Sequence, residues 1–171
     1  LILDFFIWLQ HLLTHKIEFL WRIHRVHHSD TEMDISTAIR FHPIEIALSM
    51  GLKIGLVYAL GADPLSVLIF EIALNGSSIF NHANINIPNR IDKIMRILIV
   101  TPDMHRIHHS SDRVEHDKNF GFALSIWDHI FQTYKSRPER DHKEMEIGLN
   151  WQDKKPEELG WSLGLPFKKN G

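Results

Sequence analysis

Thirteen histidines and no cysteine set the chemistry open to this chain. Two stretches repeat one another: His24-Arg25-Val26-His27-His28-Ser29 and His105-Arg106-Ile107-His108-His109-Ser110. On a helix, positions i, i+3 and i+4 share a face, with Cβ atoms about 5–6 Å apart. Each copy is therefore expected to turn three imidazoles toward one point. Imidazole suits iron, zinc, copper and nickel, and two triplets imply more than one ion. His11 and His15, spaced i, i+4, and His82 beside Asn81 extend the set. The candidate ligands are thus His11, His15, His24, His27, His28, His82, His105, His108 and His109, too many for one ion and enough for two. His42 is open between a ligand and a structural role, and His116 reads as a surface histidine.

The rest of the chemistry is narrow. Without cysteine there are no disulfides, zinc–thiolate sites or thiol nucleophiles, and no residue reads as a dedicated general base or covalent nucleophile. Asp30 and Asp112 each follow a triplet; either could orient an imidazole from behind or simply form a turn. The candidate ligands hold almost no carboxylate, unlike soluble di-iron bundles built from Glu and Glu-x-x-His. Iron in such a shell would activate oxygen, whereas zinc would act only as a Lewis acid or water activator. A zinc hydrolase would need an acid beside the metal, with Glu32 and Glu115 the first candidates. A non-enzymatic metal-binding or transport protein would need a polar path through its apolar segments.

The elements that must carry these residues are apolar helices. The chain has 171 residues, enough for one domain with a core, and a net charge of -2 that gives no footing for nucleic acid. A mean hydropathy of -0.15 hides the fact that apolar residues are gathered into runs. Leu1–Leu20 is strongly apolar, and Leu1–Leu13 reads as the second half of a longer apolar helix cut at its N-terminus, with Trp8 and Trp21 suited to a membrane interface. Residues 29–43 read as a connection ending in His42-Pro43. Ile44–Leu60 and Leu65–Phe80 are apolar arms around Gly61-Ala62-Asp63-Pro64; each is about 25 Å long, the short end of a membrane span. The soluble alternative is a pair of buried core helices.

Such a hairpin returns Asn81-His82 to the side on which His42 began, so every histidine cluster lies at one end. That end carries Lys16, Arg22, Arg25, Arg40, Arg90, Lys93 and Arg96, and the Gly61–Pro64 turn carries no basic residue. The excess of positive charge on cytoplasmic loops then places the metal site on the cytoplasmic face. Lys53 and Glu71 fall at one depth inside the hairpin and are expected to face one another, since an unpaired charge in lipid is costly. Ile91–Val100 reads as a short helix lying along the interface, and Thr101-Pro102-Asp103 caps the helix of the second triplet. Residues 127–134 are expected to pack under the metal site. Residues 135–171 read as a polar, solvated tail, Lys143 included, with Trp151, Trp161 and Phe167 as anchors.

His-x3-His, His-x2-His-His, a single His beside Asn and a second His-x2-His-His around a hairpin resemble the fatty acid hydroxylase/sterol desaturase superfamily. Arg40-Phe41-His42-Pro43, Thr101-Pro102, Asn119-Phe120-Gly121 and Trp127-Asp128 with Phe131 and Thr133 extend the likeness over roughly residues 1–134. The resemblance implies an all-α integral membrane bundle: a transmembrane hairpin under a cytosolic histidine-rich helical cap, with residues 1–134 as a catalytic domain. It implies a multi-pass, non-haem di-iron enzyme that uses O₂ and external electrons to hydroxylate or desaturate a lipid. The nine histidines would be its ligands, and a cytochrome b5-like or ferredoxin-like protein its electron donor. Three features depart from the pattern. Leu12 follows His11 where Arg is frequent, Gln132 stands where Gly is usual, and His82 has no histidine partner within four residues, unlike some lipid 2-hydroxylases.

Overall fold

The computed structural model describes residues 1–142, 144–152 and 155–169. Its regular elements are helical: α1 (Ile2–Lys16), α2 (Glu18–His24), α3 (Pro43–Leu60), α4 (Pro64–His82), α5 (Asn89–Met95), α6 (Pro102–His108), α7 (Arg113–His116), α8 (Ile126–Ile130) and α9 (Leu159–Gly164). Short 3-10 turns occupy His27–Ser29, Ile35–Ile39 and Leu165–Phe167. Among the described residues the only β pairings are the isolated bridges Ile99–Leu124 and Ser110–Ile147. Lys143, Asn170 and Gly171, part of the expected tail, lie outside the described residues.

Helices α3 and α4 have 18 and 19 residues and start the same way. Each has proline in its first turn, where no backbone donor is missed. His42 accepts from Ile44 N at 3.2 Å at one N-terminus, and Asp63 accepts from Leu65 N at 2.9 Å at the other. Gly61 between them adopts φ 59°, the left-handed cap that closes a helix. Both helices are long and apolar enough to cross a membrane, and only 6% of each apolar stretch is buried. Core helices of a soluble protein would be covered by packing; here Leu48, Ile54, Leu68, Ile69 and Ile72 point outward. The expected ion pair is formed, with Lys53 Nζ donating to Glu71 Oε1 at 2.7 Å and Oε2 at 2.9 Å. Replacing Lys53 alone with Met is therefore expected to lower thermal stability in detergent by about 2–3 kcal/mol, since Glu71 is left unpaired in an apolar setting. The double variant Lys53→Met/Glu71→Leu should recover most of that loss. A double variant no more stable than the single would show that the pair is not what steadies the hairpin.

The two tryptophans expected at an interface are inside the protein. Trp8 is 3% exposed and its indole donates to Asp128 Oδ1 at 3.1 Å; Trp21 is half-buried and stacks on His116 at 5.0 Å. A reciprocal bond ties α1 to α8, with Trp127 Nε1 donating to Asp4 Oδ2 at 2.6 Å. Phe5 and Phe131 fill the space between, with Trp8 and Phe131 stacked at 4.6 Å. Asp128 is fully buried and also accepts from Phe120 N, Gly121 N and Thr133 Oγ1 at 2.9, 2.8 and 2.6 Å. At Gly121 a Cβ would sit 2.7 Å from both Leu124 O and Val100 Cγ2, so no larger residue fits. Gln132 has φ 58°, which explains why glycine would suit that position.

Two expectations about charge change. Arg25 is fully buried and donates to Leu165 O at 2.5 Å and Lys168 O at 2.7 Å, and Arg96 is turned inward onto Asp92 at 2.6 Å. Neither is a surface cation. Ile91, Ile94, Ile97 and Leu98 remain exposed along the α5 segment, as an interfacial helix requires. Near the C-terminus, Trp161 and Leu165 are buried against Val26, with Leu149 and Trp151 packed beside them, whereas Phe167 is exposed.

Candidate metal centre

The structure brings all nine predicted histidines together. They form two sets: His11, His15, His24, His28 and His108, and His27, His82, His105 and His109. Within each, one ligand nitrogen per residue lies within 4.8 Å of the others. All nine are buried. The sets adjoin, with the His28 and His109 rings stacked at 4.5 Å and those of His105 and His108 at 5.2 Å.

The grouping corrects one expectation. Neither triplet converges on a single point. His24 and His28 join the first set and His27 the second; His105 and His109 join the second and His108 the first. Helix geometry explains the exchange. At about 100° per residue, i and i+4 are some 40° apart, while i+3 lies some 60° to the other side of i. A triplet with an ion on each side therefore splits its ligands two and one. The first triplet also leaves the regular helix, since α2 ends at His24 and a 3-10 turn carries His27 and His28. His11 and His15 come from one face of α1, and His82 from the last turn of α4.

Hydrogen bonds fix which nitrogen faces inward. The Nδ1 atoms of His11, His27, His82 and His108 meet the carbonyl oxygens of Phe120, Arg40, Ser78 and Lys118 at 2.7, 3.2, 2.7 and 2.8 Å. His24 Nδ1 meets Glu45 Oε1 at 2.6 Å. A carbonyl or carboxylate oxygen only accepts, so each Nδ1 carries the proton and each Nε2 keeps a lone pair. Yet His11 Nε2 lies 3.1 Å from His24 Nε2, and His82 Nε2 lies 3.2 Å from His27 Nε2. Two lone pairs facing one another share no proton, and a cation between them removes the repulsion. Nitrogens bound about 2.1 Å from one ion would be about 3.0–3.4 Å apart at ordinary coordination angles. Both ring nitrogens of His15, His28 and His109 are buried without a hydrogen-bond partner among the described residues, as is His108 Nε2. The donor set fits two metal ions.

Burial holds the imidazoles neutral and ready to ligate. Desolvation, followed by the neighbouring histidines, pushes His27, His28, His105 and His109 well below the usual histidine range; burial likewise lowers His108, against its bond to Lys118. Lowered folded values mean that the unfolded chain binds more protons between the two values. Stability is then fully present above pH about 6.5 and falls as pH drops below it, by about 1.4 kcal/mol per histidine per pH unit. Protons also compete with metal for the same nitrogens. Bound metal measured after equilibration at pH 7.5, 6.0 and 5.0 should fall steeply between the last two, and constant retention would contradict the ligand set.

Several acids change role. Asp30 accepts from Thr37 Oγ1 at 2.7 Å and pairs with Arg40, and Asp112 caps α7 through Val114 N at 2.9 Å, so neither orients a ligand. Glu45 does, through His24; sequence reasoning passes over it, although its place in the first turn after His42-Pro43 is an available signal. Asp117 lies 3.7 Å from His15 Nδ1. Glu115 is locked by Ser110 Oγ and Glu139 N, each at 2.6 Å, and Glu32 is exposed. His42 caps α3 and belongs to neither set; His116 is half-buried beside His15 with Asp117. A cavity of about 140 Å³ opens between α1, α3 and α4, with Ile7, Phe41, Ile46, Leu74 and Phe122 as apolar walls and His11 and His24 on its lining.

The fatty acid hydroxylase family model matches residues 1–133. Among curated proteins the chain is 31% identical over 138 residues to ornithine lipid hydroxylase OlsE of Rhizobium tropici, covering 80% of this chain and 40% of that protein. It is 27% identical to human alkylglycerol monooxygenase, over 80% of this chain and 30% of that protein. It is also 27% identical to human cholesterol 25-hydroxylase, over 78% and 48%. The chain thus spans less than half the length of these relatives. No solved structure matches it.

Proposed function

We propose that this chain, which belongs to the fatty acid hydroxylase family, forms the metal-bearing part of a membrane lipid hydroxylase. The observation that carries the reading is the pair of imidazole sets on the lining of an apolar cavity, at the foot of two membrane-length helices. Two irons held there, one by each set, would supply O₂ activation and cleavage of a lipid C–H bond, with electrons from an external donor protein. The chain's own part is geometric. Carbonyl oxygens and Glu45 aim the Nε2 lone pairs; Phe120, Met104 and Ile107, almost wholly buried, keep water from the ligands. The walls between α1, α3 and α4 align an alkyl chain with His11 and His24. The hairpin spans the membrane, and the histidine-rich cap lies on the cytoplasmic face, with Lys16, Arg90 and Lys93 exposed at that end. Residues 1–134 form the catalytic unit, and from the segment after it Leu149, Trp151, Trp161 and Leu165 pack against Val26. Hydrolysis is disfavoured because Glu32, Glu115, Asp30 and Asp112 are all engaged or placed elsewhere.

The test is metal analysis and turnover on detergent-purified protein expressed with ample iron. About two irons per chain, and ¹⁸O from ¹⁸O₂ in an alcohol product from a lipid panel, are expected. Tightly bound zinc with no iron, and product labelled from water instead, would overturn the reading.

A further inference from the structure

We infer that the cavity between α1, α3 and α4 recognises a hydrogen-bond-donating group, a hydroxyl or amine, on the lipid close to the carbon that faces His11 and His24. The inference rests on the lipid-hydroxylase reading and narrows its substrate class. A plain hydrocarbon needs only apolar walls, and this cavity has more. Glu45 is on its lining, 8% exposed; Oε1 is taken by His24 Nδ1, and Oε2 is buried without a donor among the described residues. Gln10 is on the same lining, and its Oε1 is also buried without a donor. Ser49 and Asn75 add polar groups on the facing sides of α3 and α4.

The sign of the mismatch identifies the ligand chemistry. Both orphaned atoms are acceptors, so the missing partner brings a proton. A buried acceptor left without one costs about 1–3 kcal/mol, and more for a carboxylate. Glu45 holds His24 with one oxygen and leaves the other without a donor at the edge of the cavity. A donor bonded there sits beside an imidazole of the first set, which places the donor-bearing carbon, rather than the middle of the chain, next to the metal.

Binding of hexadecane-1,2-diol and of 1,2-dimethoxyhexadecane, equal in chain length but without donors in the second, tests this on the metal-loaded protein under anaerobic, unreduced conditions. Native mass spectrometry from matched micelles reads the occupancy. The diol should bind about tenfold or more tightly. Glu45→Gln keeps an oxygen for His24 and turns an N–H₂ group to the cavity, so the preference should shrink or reverse; because Glu45 also orients His24, the lipids are compared at equal metal loading. Gln10→Leu, further from the ligands, should reduce the preference by a smaller factor and stands in if Glu45→Gln does not fold. Equal affinity for the two lipids in the parent, or a preference untouched by both variants, would overturn the inference and leave the hydroxylase reading standing. Failure of both lipids and of hexadecane to bind would overturn both.

Discussion

His105→Ala/His109→Ala is expected to cost the protein one of its two ions, while His105→Ala/His108→Ala should weaken both. The two variants remove equally many imidazoles from one turn of α6, and a triplet that served a single ion would make them equivalent. In the structure His105 and His109 belong to the four-histidine set, which would be left with His27 and His82, whereas His108 belongs to the five-histidine set. Loss of even an outer-shell partner commonly costs 10–100-fold in metal affinity, so a pair of ligands should cost more. Iron per chain across a chelator series would read the difference. The first variant should retain about one ion, held less tightly than in the parent because the shared triplets lose the neighbouring ion that orders them, and the second should hold neither ion firmly. Identical curves would mean that the sets are drawn wrongly. Hydroxylation should fall by about 100-fold or more in both, because the chemistry needs both positions filled.

The largest loss of stability away from the metal is expected at Asp128. Its carboxylate accepts from Trp8, Phe120, Gly121 and Thr133 in a site closed to water. Burial pushes this carboxyl above the usual range, and the four donors work against that push. Asp128→Ala strands two backbone N–H groups and an indole, at about 1–3 kcal/mol each. A total of about 4 kcal/mol or more corresponds to a fall in Tm of about 8–16 °C for a chain of this size. Asp128→Asn, which keeps one acceptor, should lose roughly half as much. The damage should also reach the metal, because Phe120, held through its N–H by Asp128, presents the carbonyl that orients His11. A thermal scan paired with metal content checks both, and a variant within 1 °C of the parent would remove Asp128 from this role.

The clustering of the nine histidines was legible because metal chemistry constrains residue type and spacing together, and imidazoles in repeated patterns stand out without any knowledge of packing. The two long apolar helices were legible for a similar reason: Gly61, Pro64 and the apolar arms are local signals, and the pairing of Lys53 with Glu71 follows from the turn. The sharing of ligands between sets was not read, although helix periodicity contained it, because a common face was taken for a common target. The partners of Glu45, Asp128 and Arg25 are not local properties. Each depends on contacts across 21 to 140 residues of sequence, and local pattern says nothing about what a distant segment brings. Trp8 was misplaced for that reason: its polar edge was matched to membrane water when its partner is a carboxylate from 120 residues away.

Because each triplet hands ligands to both sets, the two positions are thermodynamically linked. An ion held by His24 and His28 fixes the turn that presents His27 to the other position, and an ion held by His105 and His109 does the same for His108. The first ion bound therefore pays the ordering entropy of both triplets, and the second meets ligands already in place. Uptake should be cooperative, with the singly loaded protein scarce at every metal concentration. On the proposed reading, a cell would then hold the protein either empty or fully loaded, and a centre with only one position filled would hardly accumulate.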